Sequence, residues 1–260
     1  MAPDLVGQRL VGLLLDKLAQ PWAVDVVATA CEAVGKHLLI TLDAGDERRV
    51  LRVHLGMKGS WHRYRPGEAW LRSPMGARVE LRTARWYFVC FGPKEVELVR
   101  RNAPRPDVVG HLGPDLLGAT FELAEVLRRA RAISQRDAAV GDLLLTQTVA
   151  CGIGNVYKSE VLFLERIHPW TPVHALSDDD LGRLYGRART LMQQNLADGG
   201  ARITTHRPPL GVRPRADDRY WVYRRAAKPC RVCATAVRSR LQGAMARRAY
   251  WCPTCQEDLT

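Results

Sequence analysis

The sequence lacks any long apolar stretch. Its run Leu10–Leu15 is short and is flanked by Arg9 and Asp16, whereas a helix that crosses a bilayer needs about 20 apolar residues. We therefore expect neither a transmembrane span nor a signal peptide, and we expect the protein to be cytoplasmic. Hydrophobic residues make up 47% of the 260 residues, which is typical of a soluble globular chain. A chain of this length divides into two or more units.

Acidic residues are too few to balance the basic ones. The chain has 27 Asp and Glu against 39 Lys and Arg, which gives a net charge of +12. The surplus is concentrated near the C-terminus, where residues 201–260 hold thirteen Arg and Lys and four Asp and Glu, a surplus of nine. This imbalance favours a polyanionic partner.

Outside the C-terminal region, cysteine is limited to three isolated residues in apolar surroundings, Cys31, Cys90 and Cys151. Such residues are typical of a core. The remaining four form two Cys-x-x-Cys pairs eighteen residues apart, Cys230 with Cys233 and Cys252 with Cys255. Because thiols stay reduced in a cytoplasmic protein, this spacing predicts one structural Zn²⁺ with four thiolate ligands. A ribbon that only stabilises the C-terminus, or two disulfides, are the alternatives.

The segment between the two cysteine pairs, Ala234–Tyr250, has room for two strands and a loop. From Lys228 to Arg248 the chain carries arginine and lysine but no acidic residue. A hairpin that is held together by a metal ion and carries this charge is best explained as an element that contacts nucleic acid.

Residues 1–100 show the patterns of short strands. Apolar runs at 36–42 and 50–55 are separated by an acidic turn, and 78–83 alternates charged with aliphatic residues. Runs at 86–91 and 95–99 are separated by Gly92-Pro93. Strands at this spacing predict a β-sandwich or barrel.

The pattern changes to helical spacing over residues 114–200. Helices are predicted at Phe121–Ile133, Val140–Val149 and Asn155–Arg166, and Ser177 followed by Asp180 predicts a capped helix to about Ala197. Residues 201–219 have no periodicity and predict a loop or linker.

The turn Ala150–Asn155 contains Gly152 and Gly154 and precedes a predicted helix. Backbone N–H groups at a helix N-terminus suit a phosphate oxygen, and Asn155 would add a donor. An ordinary turn with Asn155 as the helix cap is the alternative.

Six segments together resemble the formamidopyrimidine-DNA glycosylase / endonuclease VIII family of base-excision repair enzymes. In chain order they are 35–39 (GKHLL), 54–61 (HLGMKGSW), 109–117 (VGHLGPDLL), 152–160 (GIGNVYKSE), 229–233 (PCRVC) and 247–255 (RRAYWCPTC). The Trp61 context and the Tyr-Trp-Cys-Pro ending are closer to the endonuclease VIII branch.

The resemblance implies a multidomain α+β fold in three parts: an N-terminal β-sandwich over residues 1–106, a central helix-two-turns-helix domain over 107–212, and a linker with a four-cysteine zinc-finger hairpin over 213–260. It implies that the partner is double-stranded damaged or abasic DNA, bound by a monomer and not by a membrane. The activity implied is that of a DNA glycosylase with apurinic/apyrimidinic (AP) lyase activity on oxidised bases.

The resemblance also assigns site roles. Lys36 and His54 would contact phosphates around the lesion, and Met57 would fill the gap left by the flipped base. In the second half of the chain the DNA-binding residues would be Gly154, Asn155, Arg247 and Arg248. The alternative interpretations are that Met57 is a core residue and that Lys36 and Arg247 are solvated charges. A zinc ribbon that binds nucleic acid without catalysis would explain Cys230–Cys255 but not the segments around Lys36 and Met57.

The N-terminus departs from the family pattern. Family members begin, after removal of Met, with a proline whose amine attacks the sugar C1′ to form a Schiff base, and the next residue is a glutamate that acts as acid and base. Here Ala2 makes the nitrogen of Pro3 an amide, and Leu5–Leu10 resembles the family segment that comes after the catalytic helix. We therefore expect that about one helix length is absent.

Two interpretations of that N-terminus stay open. Either the start codon is assigned too late, or the chain is a family member that binds damaged DNA without the family nucleophile. In the second case Lys36 is the candidate for a residual catalytic amine, because the resemblance places it beside the damaged sugar.

Overall fold

The computed structural model describes residues 1–20, 22, 25–100, 109–134, 138–199, 203–207 and 218–257. The chain divides into two compact units, Met1–His111 and Leu112–Thr260. The predicted domain boundaries after residues 106 and 212 both lie outside the described residues. In the part of the chain that is described, no helix has the length and apolar character needed to cross a membrane.

The first unit is a β-sandwich that is preceded by one helical turn. Its elements are α1 Ala2–Leu5, β1 Leu10–Leu15, β2 Leu18–Ala19, β3 Val27–Val34, β4 His37–Ala44, β5 Glu47–His54, β6 Ser60–Tyr64, β7 Ala77–Thr83, β8 Tyr87–Phe91 and β9 Glu95–Arg100. One sheet has the order β2-β1-β7-β8-β6 and the other β3-β4-β5-β9. All neighbouring strands are antiparallel.

The two sheets share one core. Leu13 and Leu81 from the first sheet pack in the same apolar cluster as Ile40 and Leu51 from the second. This confirms the predicted sandwich, and the five predicted strands all form. The apolar run Leu10–Leu15, which is too short to span a membrane, is the strand β1, and it pairs with β2 on one side and β7 on the other.

The described part of the second unit begins with four helices. They are α2 Leu123–Ser134, α3 Val140–Leu145, α4 Asn155–Leu164 and α5 Asp178–Ala197, and a short 3₁₀ turn at Val173–Ala175 precedes α5. A single core joins them, with Val126 on α2, Leu144 on α3, Leu162 on α4 and Leu184 on α5 all buried.

Two helix boundaries test the sequence prediction directly. The Ser177 hydroxyl accepts a hydrogen bond from the N–H of Asp180, and the Asp180 carboxylate accepts one from the N–H of Ser177, which confirms the capping box. The helix predicted at Val140–Val149 instead ends at Leu145, because Thr146 takes an extended conformation and its hydroxyl donates to the carbonyl of Asp142 at 2.9 Å.

The chain ends in a hairpin formed by β10 Arg238–Gln242 and β11 Arg247–Trp251, paired from Arg238–Trp251 to Gln242–Arg247. Its apolar cluster is small and includes two of the cysteines, Cys230 and Cys252. Of the isolated cysteines, Cys90 and Cys151 are fully buried core residues, as predicted, and Cys31 is half-buried.

Candidate nucleic-acid interface and metal centre

In the first unit, one tight turn presents Lys36. Gly35 and Lys36 connect β3 to β4, and Gly35 has φ +59°, a conformation that favours glycine. The Lys36 side chain is exposed. The next residue, His37, is paired with His54 on β5, so the turn that carries Lys36 lies at the same end of the sheet as His54.

His54 lies between two neighbours at that end of the sheet. Its pairing partners are His37 on β4 and Glu95 on β9. The two imidazole centroids are 4.8 Å apart, and His54 Nδ1 is 3.7 Å from Glu95 Oε1. The His54 side chain is 19% exposed, so one part of the ring is accessible and the rest is packed.

A network of charges surrounds the two histidines. Glu95 contacts Lys94 Nζ at 2.9 Å and Arg52 at 3.2 Å, and the hydrogen bond from Lys94 is the main reason that the pKa of Glu95 falls to about 2. Burial lowers the pKa of His37 to about 4 and is also the main cause of a lowered pKa at His54. At pH 7 both imidazoles are therefore neutral beside an ionised Glu95.

Met57 lies on the connection between β5 and β6, in which two glycines make close contacts. Gly56 has φ +64°, and a Cβ there would lie 2.9 Å from Lys94 Cβ; a Cβ on Gly59 would overlap the carbonyl of Leu55. Met57 itself is 80% exposed. The alternative interpretation of Met57 as a core residue is therefore wrong.

In the second unit, Gln147 shapes the turn before α4. Its Nε2 donates to the carbonyls of Leu145 at 2.9 Å and Ile153 at 3.1 Å, and its Oε1 accepts from the N–H of Gly152 at 3.2 Å. Gly152 has φ +115°, and a Cβ there would lie 2.8 Å from Met192 Cε. Both features favour glycine at this position.

The structure confirms the predicted helix start at Asn155 and excludes the alternative in which Asn155 is the helix cap. The residue that caps α4 is Gly154, without a side-chain cap, and Asn155 is the first helical residue. Its Nδ2 donates a hydrogen bond of 2.9 Å to the carbonyl of Arg248. The start of α4 and the strand β11 are therefore in direct contact, and the exposed side chains of Arg247 and Arg248 lie on that strand.

The four C-terminal cysteines form one compact set. Their Sγ atoms all lie within 4.8 Å of one another. The separations are 3.9 Å for Cys230–Cys255, 3.4 Å for Cys233–Cys252 and 3.5 Å for Cys233–Cys255. Tetrahedral Zn²⁺ with bonds of about 2.3 Å requires sulfur atoms about 3.8 Å apart, whereas a disulfide requires about 2.05 Å. The set fits one metal ion and excludes the two disulfides.

Glu160 is a buried carboxylate that sequence patterns did not single out. It is 0% exposed and accepts hydrogen bonds from the N–H groups of Trp221 at 2.7 Å, Val222 at 2.9 Å and Tyr223 at 2.8 Å, and from the Thr205 hydroxyl. Burial raises its pKa. The residue closes the segment that resembles the family at 152–160, but its hydrogen-bond partners lie 45 to 63 positions away in sequence, so no local pattern identifies them.

Comparison with known proteins identifies the helices of the second unit. Residues 112–207 match the family model described as the formamidopyrimidine-DNA glycosylase H2TH domain. The chain is 40% identical over 225 residues to "Probable endonuclease 8 2" of Streptomyces coelicolor, and the aligned region covers 85% of this chain and 76% of that protein. It is 32% identical over 266 residues to the formamidopyrimidine-DNA glycosylase of Thermosynechococcus vestitus, which covers 96% of this chain and 83% of that protein.

Solved structures show the same fold over nearly the whole chain. The Lactococcus lactis Fpg (MutM) in complex with DNA that contains Fapy-dG superposes with a TM-score of 0.79 at 20% identity and covers 99% of this chain and 96% of that one. The MutM (Fpg) protein of Thermus thermophilus superposes with a TM-score of 0.75 at 27% identity and covers 99% and 95%.

Proposed function

The chain belongs to the formamidopyrimidine-DNA glycosylase / endonuclease VIII family of DNA repair proteins, and from this premise we propose that it binds damaged or abasic double-stranded DNA, removes oxidised bases and cuts the resulting abasic site by β-elimination. The bond between Asn155 and the carbonyl of Arg248 carries the proposal. It joins the start of a helix, where the first N–H groups have no intrahelical acceptor, to a strand that bears two exposed arginines. Such a surface suits a phosphate.

In the second unit, the proposed DNA contacts are Gly154, Asn155, Arg247 and Arg248. The Asn155 amide nitrogen carries two hydrogens, and the bond to Arg248 uses one of them. The second hydrogen would donate to the phosphate that Arg247 neutralises. The bare backbone of Gly154 would let that phosphate approach the helix closely.

In the first unit, the proposed contacts are Lys36, His54 and Met57. Lys36 and His54 share one end of the four-stranded sheet, and a cation beside a partly exposed imidazole suits phosphate oxygens. The exposed and flexible thioether of Met57 suits the apolar space that a flipped base leaves in the duplex. We propose that this surface of the first unit contacts DNA.

We further propose that the four cysteines hold one structural Zn²⁺. The metal would replace the large core that a hairpin of this size cannot build, so its binding would be coupled to the folding of the finger. A site with four thiolate ligands leaves no open coordination position for catalysis. We also propose that the protein acts as a monomer in the cytoplasm, on the nucleoid.

A second candidate function is the binding of damaged or abasic DNA without base excision. One observation favours it: Pro3 cannot supply a free secondary amine, because Ala2 closes its nitrogen in a peptide bond. The residual amine would then be Lys36, which could attack the open-chain aldehyde of an existing abasic site.

One experiment separates the two functions. The zinc-loaded chain is incubated with three matched duplexes that contain an oxidised pyrimidine, an abasic site or neither, and the products are resolved on a denaturing gel. Strand cleavage at the oxidised base supports the glycosylase. Tight binding to abasic DNA without excision supports the second function. Equal affinity for all three duplexes with no cleavage contradicts both.

A further inference from the structure

A lysine lies fully buried in the second unit, and the proposed DNA contacts do not include it. Lys158 on α4 is 0% exposed, and its Nζ is 3.4 Å from Gln242 Oε1 on β10. Burial lowers its pKa to about 8, against the opposing effect of the Asp142 carboxylate on α3. Lysine is almost never fully buried unless it is paired, and its charge costs folding free energy there. A buried apolar residue would be less costly.

Two glycines allow α3 and the finger hairpin to approach each other around this lysine. A Cβ on Gly141 would overlap the side-chain amide of Gln242, and a Cβ on Gly243 would overlap the carboxylate of Asp142. Gln242 is 3% exposed, and its Nε2 donates to the carbonyl of Pro169 at 2.7 Å. Both ends of its amide are therefore engaged, one with the helical region and one with Lys158.

This arrangement bears directly on the position of Arg247. Gln242 is the cross-strand partner of Arg247, and only the hairpin turn separates the two residues along the chain. On the other face of the contact, Asn155 lies one helical turn before Lys158 and bonds to the carbonyl of Arg248. The hairpin is therefore bonded to α4 at two points one helical turn apart, through Asn155 and through Lys158. The charge of Arg247 is near enough to lower the pKa of Lys158.

We propose that Lys158 is a positioning residue for DNA binding. Through Gln242 and Asp142 it holds the finger hairpin at a fixed distance from the start of α4, so that Arg247 and Asn155 contact the same phosphate. Its buried ammonium also adds positive potential at that phosphate. This proposal rests on the proposed function of the second unit. It explains why a costly charge stands where an apolar side chain would pack.

The charge of Lys158 gives the proposal a pH signature. The groups that face Lys158 are Asp142 from α3, neutral Gln242 from β10 and Arg247 from β11. DNA phosphates do not titrate near pH 8, and a bound phosphate favours the charged lysine. Lys158 should therefore add no pH dependence to the affinity below about pH 8, and the affinity should fall as the pH rises above it, because the free protein then loses this proton while the complex keeps it.

The test uses Lys158→Met in the full zinc-loaded chain, with Lys228→Met as the matched control that removes an exposed lysine of the same unit. Fluorescence anisotropy measures binding to a duplex with an abasic-site analogue and to the undamaged duplex, from about pH 6.5 to about pH 9.5. We expect Lys158→Met to weaken abasic-site binding about five- to tenfold at pH 7 and to abolish the fall in affinity above pH 8. Lys228→Met should keep that fall.

The double variant Lys158→Met/Gln242→Leu separates positioning from folding, because an apolar pair restores packing without the charge. A double variant that recovers the unfolding temperature but not the pH profile supports the proposal. A profile that Lys158→Met leaves unchanged, or that the double variant restores, overturns it. If the unsubstituted chain binds abasic and undamaged DNA equally well, it is the proposed function that fails. This result differs from the outcomes that overturn the role of Lys158, which concern only the variants.

Discussion

His54 Nδ1 lies 3.7 Å from Glu95 Oε1, and although this nitrogen is buried it makes no hydrogen bond within the described residues. Glu95 is kept ionised by Lys94 and Arg52, so a neutral imidazole faces a fixed carboxylate. A second anion on the accessible side of the ring would make the charged imidazolium the favoured form. His54 is therefore suited to take up a proton when a phosphate binds.

DNA binding should consequently strengthen at mildly acidic pH. Because the pKa of His54 is lowered in the free protein and a phosphate would raise it, the affinity should increase about three- to tenfold between about pH 7.5 and pH 5.5. Anisotropy measures the affinity, and calorimetry in two buffers of different ionisation enthalpy measures the proton uptake. His54→Gln should remove both effects, and His62→Gln, at another half-buried histidine of the same unit, should keep them. Proton uptake that survives His54→Gln would argue against this assignment.

Glu95 should contribute acid-sensitive stability. Its folded-state pKa of about 2 lies below the ordinary value of 4.5, so its contribution is present above pH 4.5 and is lost as the pH falls from 4.5 through 2. The thermal unfolding midpoint of the unsubstituted protein should therefore fall more steeply than that of Glu95→Gln across this window. Parallel pH profiles for the two proteins would contradict the predicted role of the Lys94–Glu95–Arg52 cluster.

Arg247 and Arg238, two of the exposed finger arginines, should differ in their effect on DNA affinity. Both are on the hairpin, but only Arg247 lies on the strand next to Asn155. Arg247→Ala should weaken binding to abasic DNA about tenfold and reduce the salt slope by about one phosphate contact. Arg238→Ala, which removes the same charge, should have a smaller effect. Equal losses would indicate a diffuse basic surface.

Loss of one cysteine should unfold the finger alone. Cys252→Ser removes one of the four proposed thiolate ligands, and the small apolar cluster around it cannot compensate for loss of the metal. Elemental analysis should find one zinc per unsubstituted chain and far less in the variant. DNA affinity should drop, and the amide protection of β4 and β5 in the first unit should stay unchanged. Well under one zinc per unsubstituted chain would refute the assignment.

The features that the sequence could predict depended on local patterns. Alternation at 78–83, the Ser177–Asp180 capping box and the two Cys-x-x-Cys pairs are encoded by neighbours in the chain, and the structure contains the corresponding strand, cap and cysteine cluster. The end of α3 differs from the prediction because Leu145 and Val149 are four positions apart, a spacing that fits one apolar face whether or not the helix continues between them.

The buried polar residues could not be predicted, because their partners are distant. Helical periodicity treats Lys158 and Glu160 as positions on α4, and either residue type is usually exposed. Each is buried because a segment more than 40 positions away supplies its hydrogen bonds. Gln256 is similar: its side chain accepts from the N–H of Cys252 and donates to the carbonyl of Ile167. Gln242 and Gln256 attach the finger to the helical region through their side-chain amides. Such contacts leave no periodic pattern in the sequence.

The chemistry of Lys36 gives the final prediction. An amine that attacks the aldehyde of an abasic site must be neutral, and an ordinary lysine with a pKa near 10.4 is less than about 0.1% neutral at pH 7. Lyase activity through Lys36 should therefore be slow and should increase with pH. Borohydride reduction of the Schiff base would trap a covalent adduct between the protein and abasic DNA. Lys36→Ala should abolish that adduct, whereas Lys17→Ala, at another lysine of the first unit, should keep it. An adduct that survives Lys36→Ala would show that a different amine attacks the sugar and would leave Lys36 only as a phosphate contact.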